Sequence, residues 1–319
     1  IYDLSALKME EELRVIKNEL HCNAVRIYGG DLEKLVLCAE IAIKEGLMVW
    51  FSPRNINASL EETFDYIMKC SAAAEDLRKI SPGTVYVIGN EFSLDAKGFI
   101  KGEIIYERIS NLSRPVSIIM NAFGLGFNKE LNAFLEKAVS AARQNFKGEI
   151  TYASGQWEKI NWDIFDIAAV NYYRNGFNAW KYRRTVRKLV LIKKKFTITE
   201  FGCCGYRGAA QKGAWGYAVI DWSMPRPRLT KQLIRDEAVQ AKYLDELLNI
   251  YLAENVHAVF VYTFVARRAI YDPNPEYDLD MANFGIIKVL PSEINDSAHS
   301  YKWERKKAFS ELSEFYLKF

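Results

Sequence analysis

Two glutamates, Glu91 and Glu200, directly follow apolar segments in the stretches VIGNEFS and TITEFGCC. Because an apolar run precedes each of them, neither glutamate is merely a charge on a helix surface. If both carboxyls lie about 5 Å apart at one end of a set of parallel strands, one can protonate a glycosidic oxygen while the other attacks the anomeric carbon. The alternative interpretation is that each glutamate only forms a structural salt bridge with an Arg or Lys.

Segments typical of strands alternate along the chain with segments typical of helices. Seven short apolar runs predict strands: NAVRIYG (23–29), LMVWFS (47–52), TVYVIGN (84–90), EITYASG (149–155), DIAAVNYY (166–173), FTITEFG (196–202) and HAVFVYTF (257–264). Helices are predicted over 9–20, 31–46, 59–80, 128–146, 179–194 and 236–254, the second capped by Asp31 and the third starting at Ser59. Repeated βα units of this kind predict a parallel sheet with right-handed crossovers.

The fold class predicted from these elements is α/β, a (β/α)8 TIM barrel that occupies residues 1–319 as a single catalytic domain. The count of strands is one short of eight, and the first element is a helix, which in a barrel follows strand 1. Strand 1 is therefore expected upstream of the sequence or within residues 1–4. An open, doubly wound sheet is the structural alternative, but no G-x-G-x-x-G or Walker loop follows any predicted strand.

Barrel active sites are built at the carboxyl ends of the strands, so the residues at these ends are the candidates for binding substrate. Besides the two glutamates, the strand ends supply Arg26, Tyr28, Trp50, Asn90, Trp157, Asn171 and Tyr173. Asn171 and Tyr173 are two positions apart on a strand and therefore share a face. The glycine-rich segment after Glu200 adds Tyr206 and Trp215 if it is a loop over the site; a plain irregular connection is the alternative.

The segments VIGNEFS, AVNYYR and ITEFG resemble the strand 4, strand 6 and strand 7 ends of the clan A retaining glycoside hydrolases. The resemblance implies a (β/α)8 barrel that cleaves O-glycosidic bonds with retention, by a double displacement that uses two glutamates. It further implies that Glu91 is the acid/base, Glu200 the nucleophile, and Asn90 a ligand of the sugar 2-hydroxyl. Arg26 would steady the nucleophile. Tyr173, in preference to Tyr172, would be the phenol that is hydrogen-bonded to the nucleophile.

The end of the last predicted strand departs from the pattern of that clan. Many members place a Trp there as a floor for the sugar, whereas HAVFVYTFV supplies Tyr262 and Phe264. Either Phe264 provides a smaller stacking surface for the sugar, or a tryptophan from a loop provides that surface. The candidate tryptophans are Trp157, Trp180 and Trp215. The resemblance therefore does not predict the sugar or the linkage, nor endo or exo action.

The composition excludes several classes of partner. The 43 Lys and Arg are scattered and nearly balance the 40 Asp and Glu, so nucleic acid is not an expected partner. Three His and five Cys without C-x-x-C spacing predict neither a metal site nor a disulfide framework, and no cofactor is expected. No apolar run approaches the ~20 residues of a membrane span. A cytoplasmic location with a carbohydrate substrate is expected, with a processed N-terminus left open and the oligomeric state not predicted.

Two other functional classes stay in view beside the retaining glycosidase. One is a barrel that binds sugar without hydrolysing it, and the other is a different barrel enzyme, such as a metal-assisted lyase or isomerase. The presence of both Glu91 and Glu200 favours hydrolysis over binding alone. The small number of histidines disfavours a metal-assisted enzyme.

Overall fold

The structure is a computed structural model that describes residues 5–114, 126–193, 195–291 and 301–318. The alternative position predicted for strand 1, within residues 1–4, lies outside these ranges. All seven strands predicted from the sequence lie within them.

Seven strands form one parallel sheet whose spatial order follows the chain. They are β1 (Ala24–Gly29), β2 (Met48–Pro53), β3 (Val85–Asn90), β4 (Glu149–Ser154), β5 (Ala168–Asn171), β6 (Phe196–Phe201) and β7 (Ala258–Val261). Strands β1 and β2 stay in register from Ala24 opposite Met48 to Gly29 opposite Pro53. The register of β3 and β4 shifts between Val87 and Asn90, and such irregularities re-aim the side chains at a strand end. The seven predicted strands and the α/β class are confirmed.

Ten α-helices connect or flank the strands within the described residues. They are α1 (Ala6–Asn18), α2 (Leu32–Lys44), α3 (Leu60–Ile80), α4 (Phe92–Asp95), α5 (Ile105–Leu112), α6 (Asn128–Asn145), α7 (Tyr182–Leu189), α8 (Ala209–Lys212), α9 (Glu237–Ala253) and α10 (Lys307–Tyr316). Asp31 caps α2, and Ser59 caps α3 in a reciprocal capping box with Glu62. The helix predicted over 179–194 is shorter: α7 ends at Leu189, which lets the chain reach the start of β6.

By its internal contacts the chain divides into two compact units. The β1–β5 unit comprises Asn23–Asn171 and Ile192–Thr197, and the β6–β7 unit comprises Ile1–Cys22, Tyr172–Leu191 and Ile198–Phe319. The core of the first contains the fully buried rings of Phe51, Tyr86 and Phe146. In the second, α9 packs against α10, which no sequence pattern had indicated. Among the helices of the described residues, none has the length and apolar character needed to cross a bilayer.

A buried ion cluster lies in the β6–β7 unit. Lys306 is fully buried, and its Nζ lies 2.9 Å from Oδ1 of Asp280. The guanidinium of Arg235 lies 3.0 Å from Oδ2 of the same aspartate and 2.7 Å from Oδ2 of Asp278. Each charge in the cluster is thus compensated at short range, which is the condition under which buried charges are tolerated.

Replacing Lys306 with methionine is expected to lower the free energy of unfolding by about 3 kcal/mol, because it removes one of two cations that compensate the buried Asp280. Urea unfolding followed by circular dichroism measures the change. Lys79→Met is the control, since Lys79 and its partner Asp76 are both exposed, and pairs at the surface contribute only about 0–1 kcal/mol. Equal losses in the two variants would contradict the prediction.

Candidate active site

Four of the candidate residues meet near the carboxyl ends of β3 and β5, and one of them, Arg26, comes from the middle of β1. Nδ2 of Asn171 donates to Oε1 of Glu91 at 2.8 Å and to Oδ1 of Asn90 at 3.2 Å. Nη2 of Arg26 donates to the same Oδ1 of Asn90 at 2.8 Å. The side-chain oxygen of Asn90 accepts from both Arg26 and Asn171. This fixes the orientation of the amide, whose N–H groups are then the donors available to a ligand. Such donors suit a ligand with hydroxyl groups.

Two aromatic candidates on β1 and β2 differ in their accessibility. The guanidinium of Arg26 lies 5.8 Å from the ring centroid of Tyr28, whose side chain is 37% exposed. Trp50, in contrast, is only 2% exposed and belongs to the core in this structure. Tyr28 therefore offers a ring face or edge to a ligand, and Trp50 offers little surface.

Glu200 lies in β6, within the β6–β7 unit, and its carboxyl accepts a hydrogen bond from a tyrosine. The hydroxyl of Tyr173 donates to Oε2 of Glu200 at 3.2 Å. The backbone N–H of Tyr172 donates to the carbonyl oxygen of Glu200, and the ring of Tyr172 stacks on that of Tyr182 at 4.6 Å between centroids. Successive side chains of an extended segment point to opposite faces. Tyr173 therefore faces the carboxyl of Glu200, and the ring of Tyr172 points the other way.

A glycine two residues after Glu200 permits a close approach of two chain segments. A β-carbon at Gly202 would lie 2.2 Å from the carbonyl oxygen of Tyr262, so no other residue fits without moving the backbone. Beside this contact, the ring of Phe284 lies 5.8 Å from that of Tyr173 and 5.7 Å from that of Tyr262. The sequence pattern had not indicated Phe284, which comes from a loop after β7.

The aromatic residues considered as a sugar platform lie in different environments. Phe264 is half-buried and packs edge-on against Trp303 at 6.1 Å. Tyr206 is buried, and its hydroxyl donates to the carbonyl oxygen of Gly216. This hydrogen bond joins two parts of the loop that follows β6. Trp180 and Trp215 are 76% and 52% exposed. The two exposed tryptophans present the larger surfaces for stacking.

Trp157 belongs to a buried hydrogen-bond network that the sequence analysis did not identify. Its Nε1 donates to Oγ of Ser93 at 2.9 Å, and that hydroxyl donates to Oε1 of Glu158 at 2.6 Å. The carboxyl of Glu158 also accepts from the hydroxyl of Tyr152 and from the backbone N–H groups of Ser93 and Gly155. Partners 65 positions apart leave no trace in local periodicity, so sequence reasoning could not have found this network.

Burial raises the pKa of Glu158 to about 7, although each of its hydrogen-bond donors acts in the opposite direction. The folded protein therefore binds a proton here that the unfolded chain releases near its ordinary pKa of 4.5. It follows that the contribution of Glu158 to stability is fully present below about pH 4.5 and is lost as the pH rises through about 7.

We expect the free energy of unfolding of the wild-type protein, relative to that of Glu158→Gln, to fall by roughly 3 kcal/mol between pH 4 and pH 8. Glutamine does not titrate, so the difference between the two proteins isolates this carboxyl from the other groups that titrate. Urea unfolding at a series of pH values gives the measurement. A difference that stays constant across this range would show that Glu158 has the same pKa in both states.

No family model and no curated protein matches this chain at the level of sequence. Solved structures match in three dimensions. A complex of a GH113 β-1,4-mannanase matches with a TM-score of 0.64 and 11% identity, covering 99% of this chain and 96% of the other. A GH113 β-mannanase from Alicyclobacillus acidocaldarius gives a TM-score of 0.56 and 10% identity over 97% and 91% of the two chains.

A β-glucosidase also matches, with a TM-score of 0.57 and 11% identity over 98% of this chain and 88% of the other. These proteins carry different substrate names, and each aligns with this chain over nearly its whole length. At such low identity the likeness concerns the fold. The chain therefore has a TIM-barrel type of α/β fold similar to that of these glycosidases, and its described residues supply seven parallel strands.

Proposed function

We propose that this protein is a retaining glycoside hydrolase in which Glu200 is the nucleophile and Glu91 the acid/base. The observation that carries the proposal is the setting of the two glutamates at strand ends of a glycosidase fold. The carboxyl of Glu91 accepts from Asn171, and that of Glu200 accepts from Tyr173. A structural salt bridge alone would not require an amide and a phenol at these positions.

The reaction proceeds in two displacements. In the first, a carboxylate oxygen of Glu200 forms a bond to the anomeric carbon as the bond from that carbon to the leaving oxygen breaks, and Glu91 gives its proton to the leaving oxygen. In the second, a water oxygen bonds to the anomeric carbon, the ester bond to Glu200 breaks, and Glu91 takes the proton of the water. Neither step needs a metal ion or an organic cofactor.

The neighbouring side chains have defined parts in this proposal. The hydroxyl of Tyr173 donates to Oε2 of Glu200 and so orients the carboxylate for attack. The amide of Asn90, oriented by Arg26 and Asn171, donates to the sugar 2-hydroxyl. Hydrogen bonds to that hydroxyl strengthen in the transition state. The exposed ring of Tyr28 adds a stacking surface beside Arg26.

The substrate class that we propose is a β-linked glycoside. The support is that the matched structures include enzymes described as β-mannanases and a β-glucosidase. The exposed Trp180 and Trp215 lie on the segments after β5 and β6. Because these rings are surfaces on which a sugar could stack, the choice of sugar depends on the loops of this chain.

A panel of 2,4-dinitrophenyl β-glycosides, with mannose, glucose, galactose and glucuronic acid as the sugar, tests the proposal. We expect hydrolysis of at least one of them, and proton NMR of the first product should show the β-anomer. An α-anomer as the first product would contradict retention. Binding of a sugar without turnover would instead support the alternative of a sugar-binding barrel.

A further inference from the structure

Glu91 has an unusual backbone conformation for a residue that precedes a helix. Its φ and ψ angles are +41° and 52°, in the left-handed region that is unfavourable for residues other than glycine. Its N–H donates to the carbonyl oxygen of Ala153, and its own carbonyl oxygen accepts from the N–H groups of Leu94 and Asp95. Contacts with the surrounding chain therefore maintain this conformation.

The helix that follows, α4, is not capped by the side chain of its own N-cap residue. Side chains at this position commonly accept a hydrogen bond from the second or third N–H of the helix. The carboxyl of Glu91 makes no such bond, and its Oε1 accepts from Asn171 instead. The carboxyl of Glu91 is thus engaged by Asn171 and not by the helix that it precedes.

Two side chains from the region of β4 supply the missing cap. The hydroxyl of Tyr152 accepts from the N–H of Phe92 at 2.6 Å, and Oε1 of Glu158 accepts from the N–H of Ser93 at 3.1 Å. The carboxyl of Glu158 also accepts hydrogen bonds from the hydroxyl groups of Tyr152 and Ser93. The two capping side chains, Tyr152 and Glu158, are therefore hydrogen-bonded to each other. The first turn of α4 is therefore fixed to β4 by a continuous set of hydrogen bonds.

The packing below this turn leaves it little freedom to shift. A β-carbon at Gly89 would lie 2.0 Å from the ring of Phe92, which shows how closely that ring packs under the end of β3. The ring of Phe92 in turn lies 5.3 Å from that of Tyr152. A change in the hydrogen bonds of Tyr152 or Glu158 is thus transmitted directly to the residue next to Glu91.

We propose that Glu158 is a positioning residue, whose carboxyl caps α4 in place of Glu91 and so holds the side chain of Glu91 on Asn171. This inference rests on the proposed function, in which Glu91 donates the proton to the leaving group. Proton donation depends on placement within about 1 Å, and a displacement of that size can cost about 100-fold in rate.

The test compares kcat/KM for a phenyl β-glycoside and for the 2,4-dinitrophenyl β-glycoside of the same sugar, chosen as the one hydrolysed in the panel above. The phenyl group leaves only with protonation, whereas dinitrophenolate leaves without it. For Glu158→Gln we expect a loss of about 10- to 100-fold on the phenyl glycoside and less than about 3-fold on the dinitrophenyl glycoside. Tyr152→Phe, which removes one cap and one donor, should show the same selectivity.

Glu254→Gln is the matched control, because Glu254 is a buried glutamate of the other unit that accepts from Arg183 and Arg187. A merely structural effect lowers the amount of folded enzyme and reduces both rates equally, as expected for this control if it has any effect. Equal losses on both substrates in Glu158→Gln and in Tyr152→Phe would overturn the inference. If Glu158→Gln does not fold, Tyr152→Phe alone decides.

Glu91→Gln, measured in the same series, separates the two levels of the proposal. Suppose that Glu91→Gln lowers kcat/KM selectively on the phenyl glycoside but Glu158→Gln and Tyr152→Phe do not. The positioning inference then fails and the proposed function stands. If Glu91→Gln shows no selectivity, or if the wild-type enzyme hydrolyses nothing in the panel, the proposed function fails and the inference falls with it.

Discussion

Glu200→Gln is expected to reduce kcat by roughly four to six orders of magnitude, the range seen when a covalent nucleophile is removed. Glutamine has nearly the same size as glutamate and keeps an oxygen that can accept from Tyr173. In the proposed mechanism the amide cannot attack the anomeric carbon, so no glycosyl-enzyme intermediate would form. The measurement is kcat on the 2,4-dinitrophenyl glycoside that the wild-type enzyme hydrolyses best.

Glu149→Gln is the control for Glu200→Gln. Glu149 also belongs to a strand of the sheet, but it begins β4, where it pairs with Lys195, and so lies at the opposite end of its strand from the proposed site. We expect this variant to keep most of the wild-type activity. Urea unfolding should show that both variants remain folded. A near wild-type rate in Glu200→Gln would exclude Glu200 as the nucleophile.

The second large effect is expected for Glu91→Gln, and it should depend on the leaving group. On a phenyl glycoside, kcat/KM should fall by about 10²- to 10⁴-fold, the usual contribution of general acid catalysis. On the dinitrophenyl glycoside, kcat/KM should change little, because the leaving group needs no proton. Its kcat should still fall, since in the proposed mechanism hydrolysis of the intermediate needs Glu91 as the base.

Asn171→Asp offers a comparison for this second prediction. It replaces the donor to Glu91 with a carboxyl of the same shape and leaves Glu91 itself in place. We expect a smaller loss than for Glu91→Gln, because the acid is present but less well oriented. Equal losses of kcat/KM on phenyl and dinitrophenyl glycosides in Glu91→Gln would contradict its role as the acid.

The strands could be predicted from the sequence because each is a short apolar run bounded by polar residues. The caps of α2 and α3 could also be predicted, since Asp31, Ser59 and Glu62 act within one helical turn of their partners. Once the resemblance implied a phenol beside Glu200, the alternation of side chains along an extended segment was enough to choose Tyr173 over Tyr172. Local chemistry fixes all of these features.

Features that depend on contacts between distant segments could not be predicted. The capping of α4 by Glu158 joins positions 65 apart, and the burial of Tyr206 depends on how the loop after β6 folds back on Gly216. Likewise, no local pattern distinguishes the buried Trp50 from the exposed Trp215. The sequence names the residue types at a site, whereas packing decides which of them reach it.

The side-chain oxygen that Asn90 shares between two donors has a consequence for the design of variants of the proposed site. Because Arg26 and Asn171 donate to one atom, a change at any of the three positions alters the partners of the other two. Substitutions at residues that share a partner are generally not additive. Libraries that vary these three positions one at a time would therefore miss the productive combinations, and they should be varied together.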